Sequence, residues 1–220
     1  MNAKDWSHLF VFSMGRSGGT ILKKIINCDP KFEIHGENHG VLRNIMEIDR
    51  VMEQTRSISY PGREKPFTST NTAWHGYTQY SACRVLSSVL AFRDDVISGF
   101  KEVRHGGGSF DELCLELDFL LKVCPRALLV LNTRDVAEVV RSQVDNWDGG
   151  NQEQAAYREE VAVRQYENFL RYHERVPEQT CVIDYRDIVD ISDHFTLFLS
   201  DIGYVHDMDF VRRVLQFKIG

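Results

Sequence analysis

HLFVFSMGRSGGTILKKIINCDPKFEIHGEN, residues His8 to Asn38, decides the fold. His8 to Ser13 is a short apolar run bounded by turn residues, the pattern of a parallel strand buried on both faces. Gly15, Gly18 and Gly19 then let the backbone turn sharply and bring its N–H groups close to a ligand. Thr20 to Asn27 follows as a helix with Ile21, Leu22, Ile25 and Ile26 on its inner face, and Lys31 to Ile34 returns as a second strand. A helix N-terminus reached through such a loop is an anion site. Glycine turns between strand and helix also occur as plain structure, so the residues between the glycines have to carry the distinction.

A nucleotide-hydrolysing P-loop reads GxxxxGK[ST], with a lysine after the last glycine and a hydroxyl that holds magnesium. Here Arg16 precedes Gly18 and Gly19, and no lysine directly precedes Thr20, which shifts the reading away from ATP and GTP. GRSGGT resembles the 5′-phosphosulfate loop of the sulfotransferases that use 3′-phosphoadenosine 5′-phosphosulfate (PAPS). The resemblance implies that Arg16 contacts the bridging and sulfuryl oxygens and that Ser17, Gly18, Gly19 and Thr20 cradle the 5′-phosphate.

Working outward, the second strand runs into HGENHG, with two histidines, a carboxylate and an asparagine at the carboxyl end of a strand, where open α/β sheets place ligands. Several sulfotransferase branches are similar in carrying Gly-Glu here, which makes Glu37 the general base that an alcohol acceptor needs. His35 is an alternative base. The competing reading is that Glu37 caps the next helix while His35 or His39 packs nearby.

Asp95 to Phe100 reads as a third strand, followed by KEVRHGGG. In the family resembled, a strand-end lysine lies close to the sulfuryl group, which assigns Lys101 to charge neutralisation. His105 is a second candidate base, while Glu102 and Arg104 read as a surface charge cluster. Ala127 to Leu131 is a fourth strand, and its exit TRDVAEVVRS resembles the site where the family binds the cofactor's 3′-phosphate. Arg134 and Ser142 have that choice and spacing, with Arg141 beside them, and an arginine fork suits a phosphate. Cys181 to Asp184 is a fifth strand. Tyr185-Arg186-Asp187 after it is similar to the family's Tyr-Glu-Asp, which puts Tyr185 near the adenosine. The C-terminal Arg-Lys-Gly clamp of the family's cytosolic branch is missing, so either Arg212, Arg213 or Lys218 substitutes for it or the contact is absent.

Between the strands the spacing predicts helices over Val41–Met52, His75–Phe92, Phe110–Val123, Gln152–Arg175, Ile188–Ile202 and Phe210–Phe217. Residues 41–80 form an acceptor-binding insert or lid, because the polar, proline-punctuated part after Met52 has no period and such long loops are usually functional. Arg43, Arg56, Arg63 and Trp74 are its candidate contacts.

These elements predict one α/β domain over the 220 residues, with a mainly parallel central sheet of about five strands flanked by helices, of the P-loop nucleotide-binding type. The net charge of −6 argues against nucleic acid. No stretch approaches the roughly 20 apolar residues of a membrane span, and the N-terminus enters a strand too soon for a secretory signal. Five scattered cysteines without a CxxC pair or metal-ligand spacing read as thiols in a reducing compartment, so a cytoplasmic protein is expected. The resemblance implies a PAPS-dependent sulfotransferase that leaves adenosine 3′,5′-bisphosphate (PAP), needs no metal, and sulfates a hydroxyl on a carbohydrate or small metabolite. The alternatives are a P-loop phosphotransferase acting on a small molecule and a non-catalytic nucleotide-binding protein.

Overall fold

Five strands form a single parallel sheet: β1 (His8–Ser13), β2 (Phe32–His35), β3 (Ile97–Glu102), β4 (Ala127–Thr133) and β5 (Thr180–Asp184), in the order β2-β3-β1-β4-β5. The computed structural model describes residues 6–57, 82–89 and 91–219. Parallel strands need crossovers, and helices supply them: α1 (Gly19–Ile26) lies between β1 and β2, α2 (Val41–Ser57) and α3 (Ala82–Val89) between β2 and β3, α4 (Phe110–Val123) between β3 and β4, and α5 (Val136–Trp147) and α6 (Ala155–Arg175) between β4 and β5, while α7 (Tyr185–Asp190), α8 (Asp193–Asp201) and α9 (Met208–Ile219) follow β5.

Side-chain alternation along β1 divides the core. Phe10 and Phe12 face one layer with Phe100, Leu117, Leu120, Phe169 and Tyr172, while Leu9 and Val11 face the other with Leu22, Ile25, Phe195, Phe198 and Val211. Both faces are apolar, which is why the strands read as continuous hydrophobic runs. The chain leaves β1 toward β2 and β3 on one side and later places β4 and β5 on the other. The end of β1 is therefore the topological switch point, where the crevice of an open α/β sheet opens.

Several boundaries differ from expectation. β3 runs to Glu102 because Val11 pairs with Lys101 and Phe12 with Glu102, so two charged residues sit inside the ladder. β4 continues to Thr133, with Asn132 and Thr133 paired to Ile183 and Asp184. The expected helix from Ile188 to Ile202 is broken: Ile191 takes a φ of 50°, and the Ser192 side chain accepts from the Phe195 amide to start α8. The expected helix over Val41–Met52 extends to Ser57, and beyond it residues 58–80 of the proposed insert lie outside the described residues. No helix among the described residues is long and apolar enough to cross a membrane.

Candidate active site

Two residues in the left-handed region, Arg16 (φ 70°) and Gly18 (φ 83°), turn the chain from β1 into α1. A Cβ on Gly18 would lie 2.4 Å from Cδ2 of Tyr185, and one on Gly19 would lie 1.9 Å from Oγ of Ser13, so neighbouring side chains occupy the space. The N-cap Gly18 offers no side-chain cap, and the first amides of a helix have no partner inside it. The amides of Gly18, Gly19 and Thr20 thus open onto a cleft of about 740 Å3 at the switch point.

Ser17 corrects the expectation that all four loop residues face a phosphate. It is fully buried; its hydroxyl lies 2.6 Å from the Met14 carbonyl and 2.7 Å from Oδ1 of Asn132, and its amide donates to the Met14 carbonyl at 3.1 Å. Asn132 donates in turn to the Ile183 carbonyl at 3.0 Å. Ser17 therefore ties the loop to β4 and β5 beneath the cleft.

The two donor groups expected at opposite ends of a nucleotide adjoin each other. Arg16 Nε donates to Ser142 Oγ at 3.1 Å, and Arg134 Nη1 donates to the Arg16 carbonyl at 3.1 Å. The Arg134 guanidinium also donates to Glu138 at 2.9 Å and lies over the Tyr185 ring, 4.3 Å from its centroid. That bond holds the Glu138 carboxyl below the ordinary glutamate value, with Arg186 adding to it. Arg134, Arg141 and Ser142 line a smaller depression of about 360 Å3, and Arg134 lines the main cleft as well.

Across the cleft from this group, Lys101 Nζ donates to Glu37 Oε1 at 2.7 Å. The lysine is almost buried, at 8% side-chain exposure, whereas Glu37 at 36% meets solvent. Beside them the buried Glu102 accepts from the Asn38 and Val103 amides at 3.2 and 2.9 Å. Glu102 is therefore part of the strand-end framework and not a surface charge.

The histidines stand apart. His105 is buried, its Nδ1 donates to Glu116, and its ring meets Phe12 edge-on at 5.2 Å. That places it in the core under the cleft instead of at its surface, so it cannot reach an acceptor hydroxyl. His35 stacks near Phe92 at 6.3 Å and does not line the cleft either. Of the three candidate bases, Glu37 alone faces the cavity.

Other expected contacts fall elsewhere. Arg43 binds Glu116 and the Arg104 carbonyl, so it braces the site from behind. The Arg56 side chain and all of Arg63 and Trp74 lie outside the described residues. Arg212 is bonded to Asp209 and Arg213 lies over the Phe210 ring, and neither lines the cleft; the Lys218 side chain lies outside the described residues. Among the described residues, no group of three or more His, Cys, Asp or Glu side chains is arranged to hold a metal.

One wall was not anticipated. Trp147, at the end of α5, occupies the space over Gly15, where a Cβ would lie 2.3 Å from its ring. Arg158 lies over that ring at 5.4 Å and makes two bonds to Asp148, at 3.0 and 2.7 Å. The sequence signal was the run Asn146-Trp147-Asp148 before Gly149 and Gly150, a large aromatic at a helix end.

The chain matches a protein-family model described as "Sulfotransferase family" over residues 8–195. No curated protein sequence matches it. Among solved structures, the sulfotransferase domain of the Synechococcus PCC 7002 olefin synthase superposes with a TM-score of 0.61 at 15% identity, over 91% of this chain and 74% of that one. A sulfotransferase from Alicyclobacillus acidocaldarius gives 0.49 at 13% identity, over 89% and 80%. Retinol dehydratase in complex with androsterone and inactive cofactor PAP gives 0.47 at 12%, over 98% and 66%. At these identities the first likeness speaks for the fold alone, and membership rests on the family match, which runs from β1 into α8 and contains the loop, both donor groups and the Glu37–Lys101 pair. The chain belongs to the sulfotransferase family.

Proposed function

We propose that this protein moves a sulfuryl group from PAPS to an acceptor hydroxyl on a carbohydrate or small metabolite, in the cytoplasm. The observation that carries the reading is the junction of Arg16 with Ser142 and Arg134, which makes one continuous donor surface of two groups suited to two phosphates. The donor set fits the cofactor: open loop amides and Arg16 for the 5′ end, Arg134, Ser142 and Arg141 for the 3′-phosphate, and Tyr185 beside Gly18 for the nucleoside. The free thiols of Cys114 and Cys181 agree with a reducing compartment.

When bound, PAPS supplies an activated sulfuryl group. Glu37 then accepts the acceptor's proton, because a carboxylate at the solvent-facing lip can meet an incoming hydroxyl. Lys101, nearly buried, and Arg16 stabilise negative charge developing at the loop, where a pre-placed cation in a partly dry site acts most strongly. Positioning and electrostatics do most of the work in such transfers, as in phosphoryl transfer.

The test compares thermal stabilisation by PAP without magnesium against ATP with magnesium. A ligand at about 100 times its Kd stabilises by about 2.7 kcal/mol. Stabilisation by PAP alone is expected, and equal shifts or none would refute the reading. Glu37→Gln should retain PAP binding and lose most turnover, and a fully active variant would remove Glu37 as the base.

A further inference from the structure

We infer that Arg104 binds a carboxylate on the acceptor, so that the hydroxyl to be sulfated belongs to a molecule bearing an acid group close by. This deepens the proposed function and rests on it.

Charge matching in the cleft isolates this residue. The cleft is lined by Arg16, Lys101, Arg104, Arg134 and Arg158 against the single carboxylate of Glu37. Lys101 is bonded to Glu37, Arg134 to Glu138 and Arg158 to Asp148. Arg16 and Arg104 are the two lining cations with no hydrogen bond to a carboxylate among the described residues, and Arg16 is already assigned to the 5′ end of the cofactor. The approaches of Arg104 to Glu37 and Glu102 are long, 4.0 and 3.9 Å, and both carboxylates have nearer donors. The Arg104 side chain is 46% exposed.

The backbone under that side chain is held firmly. Gln165 donates to the Val103 and His105 carbonyls, Arg43 to that of Arg104 at 3.2 Å, Asn168 to those of Gly106 and Gly108 at 2.9 and 3.0 Å, and Arg164 to that of Gly107 at 3.4 Å. Every carbonyl from 103 to 108 thus accepts from a side chain of α2 or α6. A loop laced this tightly would normally commit its charges to internal partners as well. Among the described residues the one arginine in it has only long approaches to carboxylates, at 4.0 and 3.9 Å, and it stands beside the carboxylate proposed to take the acceptor's proton. A rigid base with an uncommitted planar fork is the arrangement that recognises a carboxylate with little ordering cost.

The experiment uses matched hydroxyl acceptors differing in one acid group: 4-nitrophenyl β-D-glucuronide against the glucoside, and 3-hydroxybenzoate against 3-hydroxybenzamide, with PAPS as donor. PAP binding is measured calorimetrically in parallel. In at least one pair the acid should have a kcat/KM at least about tenfold above its neutral partner, the scale of a charge-assisted bond. Arg104→Gln should reduce that ratio about tenfold or more, and Arg104→Lys should restore part of it. PAP binding with no preference for the acid in either pair, or a ratio unchanged in Arg104→Gln, overturns this inference and leaves the cofactor reading standing. Failure of PAP to bind overturns both.

Discussion

Replacing Gly18 with alanine tests the site's most constrained point. Gly18 holds a φ of 83°, and an L-residue in the left-handed conformation costs about 1–2 kcal/mol. The new methyl would also stand 2.4 Å from Cδ2 and 2.9 Å from Cε2 of Tyr185, so the ring must move. Moving it disturbs the stacking of Arg134, 4.3 Å from the ring centroid, a contact worth about 0.5–1 kcal/mol. Together the loss is about 1.5–3 kcal/mol, or roughly 3–12 °C in Tm for a domain of this size. Chemical denaturation of Gly18→Ala, Tyr185→Ala and the double variant separates the two parts. Once the ring is gone, Gly18→Ala should cost only the backbone term, giving a coupling of about 0.5–1 kcal/mol. Strict additivity, or a Gly18→Ala protein as stable as wild type, would refute the packing of Tyr185 on the loop.

Other outcomes follow from the same geometry. Ser17→Ala leaves the buried Oδ1 of Asn132 without its donor, so a loss of about 1–3 kcal/mol is expected in urea denaturation, whereas a surface phosphate ligand would show almost none. Burial works to raise the Glu116 carboxyl, but the bonds from His105 and Arg43 more than offset it, and it titrates below the ordinary glutamate value of 4.5. Its contribution is therefore complete above pH 4.5 and is lost as pH falls through the lower folded value. Glu116→Gln should flatten the acid limb of the stability curve, and an unchanged limb would count against the pairing. Burial, helped by Asp201 and Asp187, pushes the Cys181 thiol up to about 12, so at pH 8 it should react with a thiol reagent far more slowly in the native protein than in urea.

What the sequence revealed depended on how local the cause was. The strand, turn and helix from His8 to Ile26 were legible because apolar runs and glycines act over a few residues, and β1 has the expected bounds. The end of β3 was misplaced because Lys101 and Glu102 look like loop residues until pairing with β1 puts them in the ladder. The spacing of Arg134 and Ser142 pointed to a shared surface, and both side chains adjoin Arg16. Ser17 reads as a phosphate ligand and His105 as a candidate base because composition reports residue type and not direction. Both turn inward, to Asn132 and to Glu116. Trp147 shows in the sequence only as a large aromatic at a helix end, and its place against Gly15, with Arg158 over its ring, is set by how α5 and α6 pack, which no short pattern encodes.

The carboxylates around the cleft carry a consequence of their own. The Arg158–Asp148 pair is part-buried, its side chains 26% and 12% exposed, so it contributes to stability as well as to geometry. Its two bonds hold the guanidinium over the Trp147 ring, and Trp147 in turn packs on Gly15, the residue just before Arg16. We expect this stack to shape the acceptor's part of the main cleft; Arg141 and Ser142 line the neighbouring depression, and Arg134 lines both. Asp148→Asn should accordingly melt several degrees below wild type yet bind PAP unchanged, while the KM for acceptor rises severalfold, because the arginine is freed to wander. Weakened PAP binding with an unchanged acceptor KM would show that the stack supports the nucleotide, and would reverse the assignment of the two sides of the cleft.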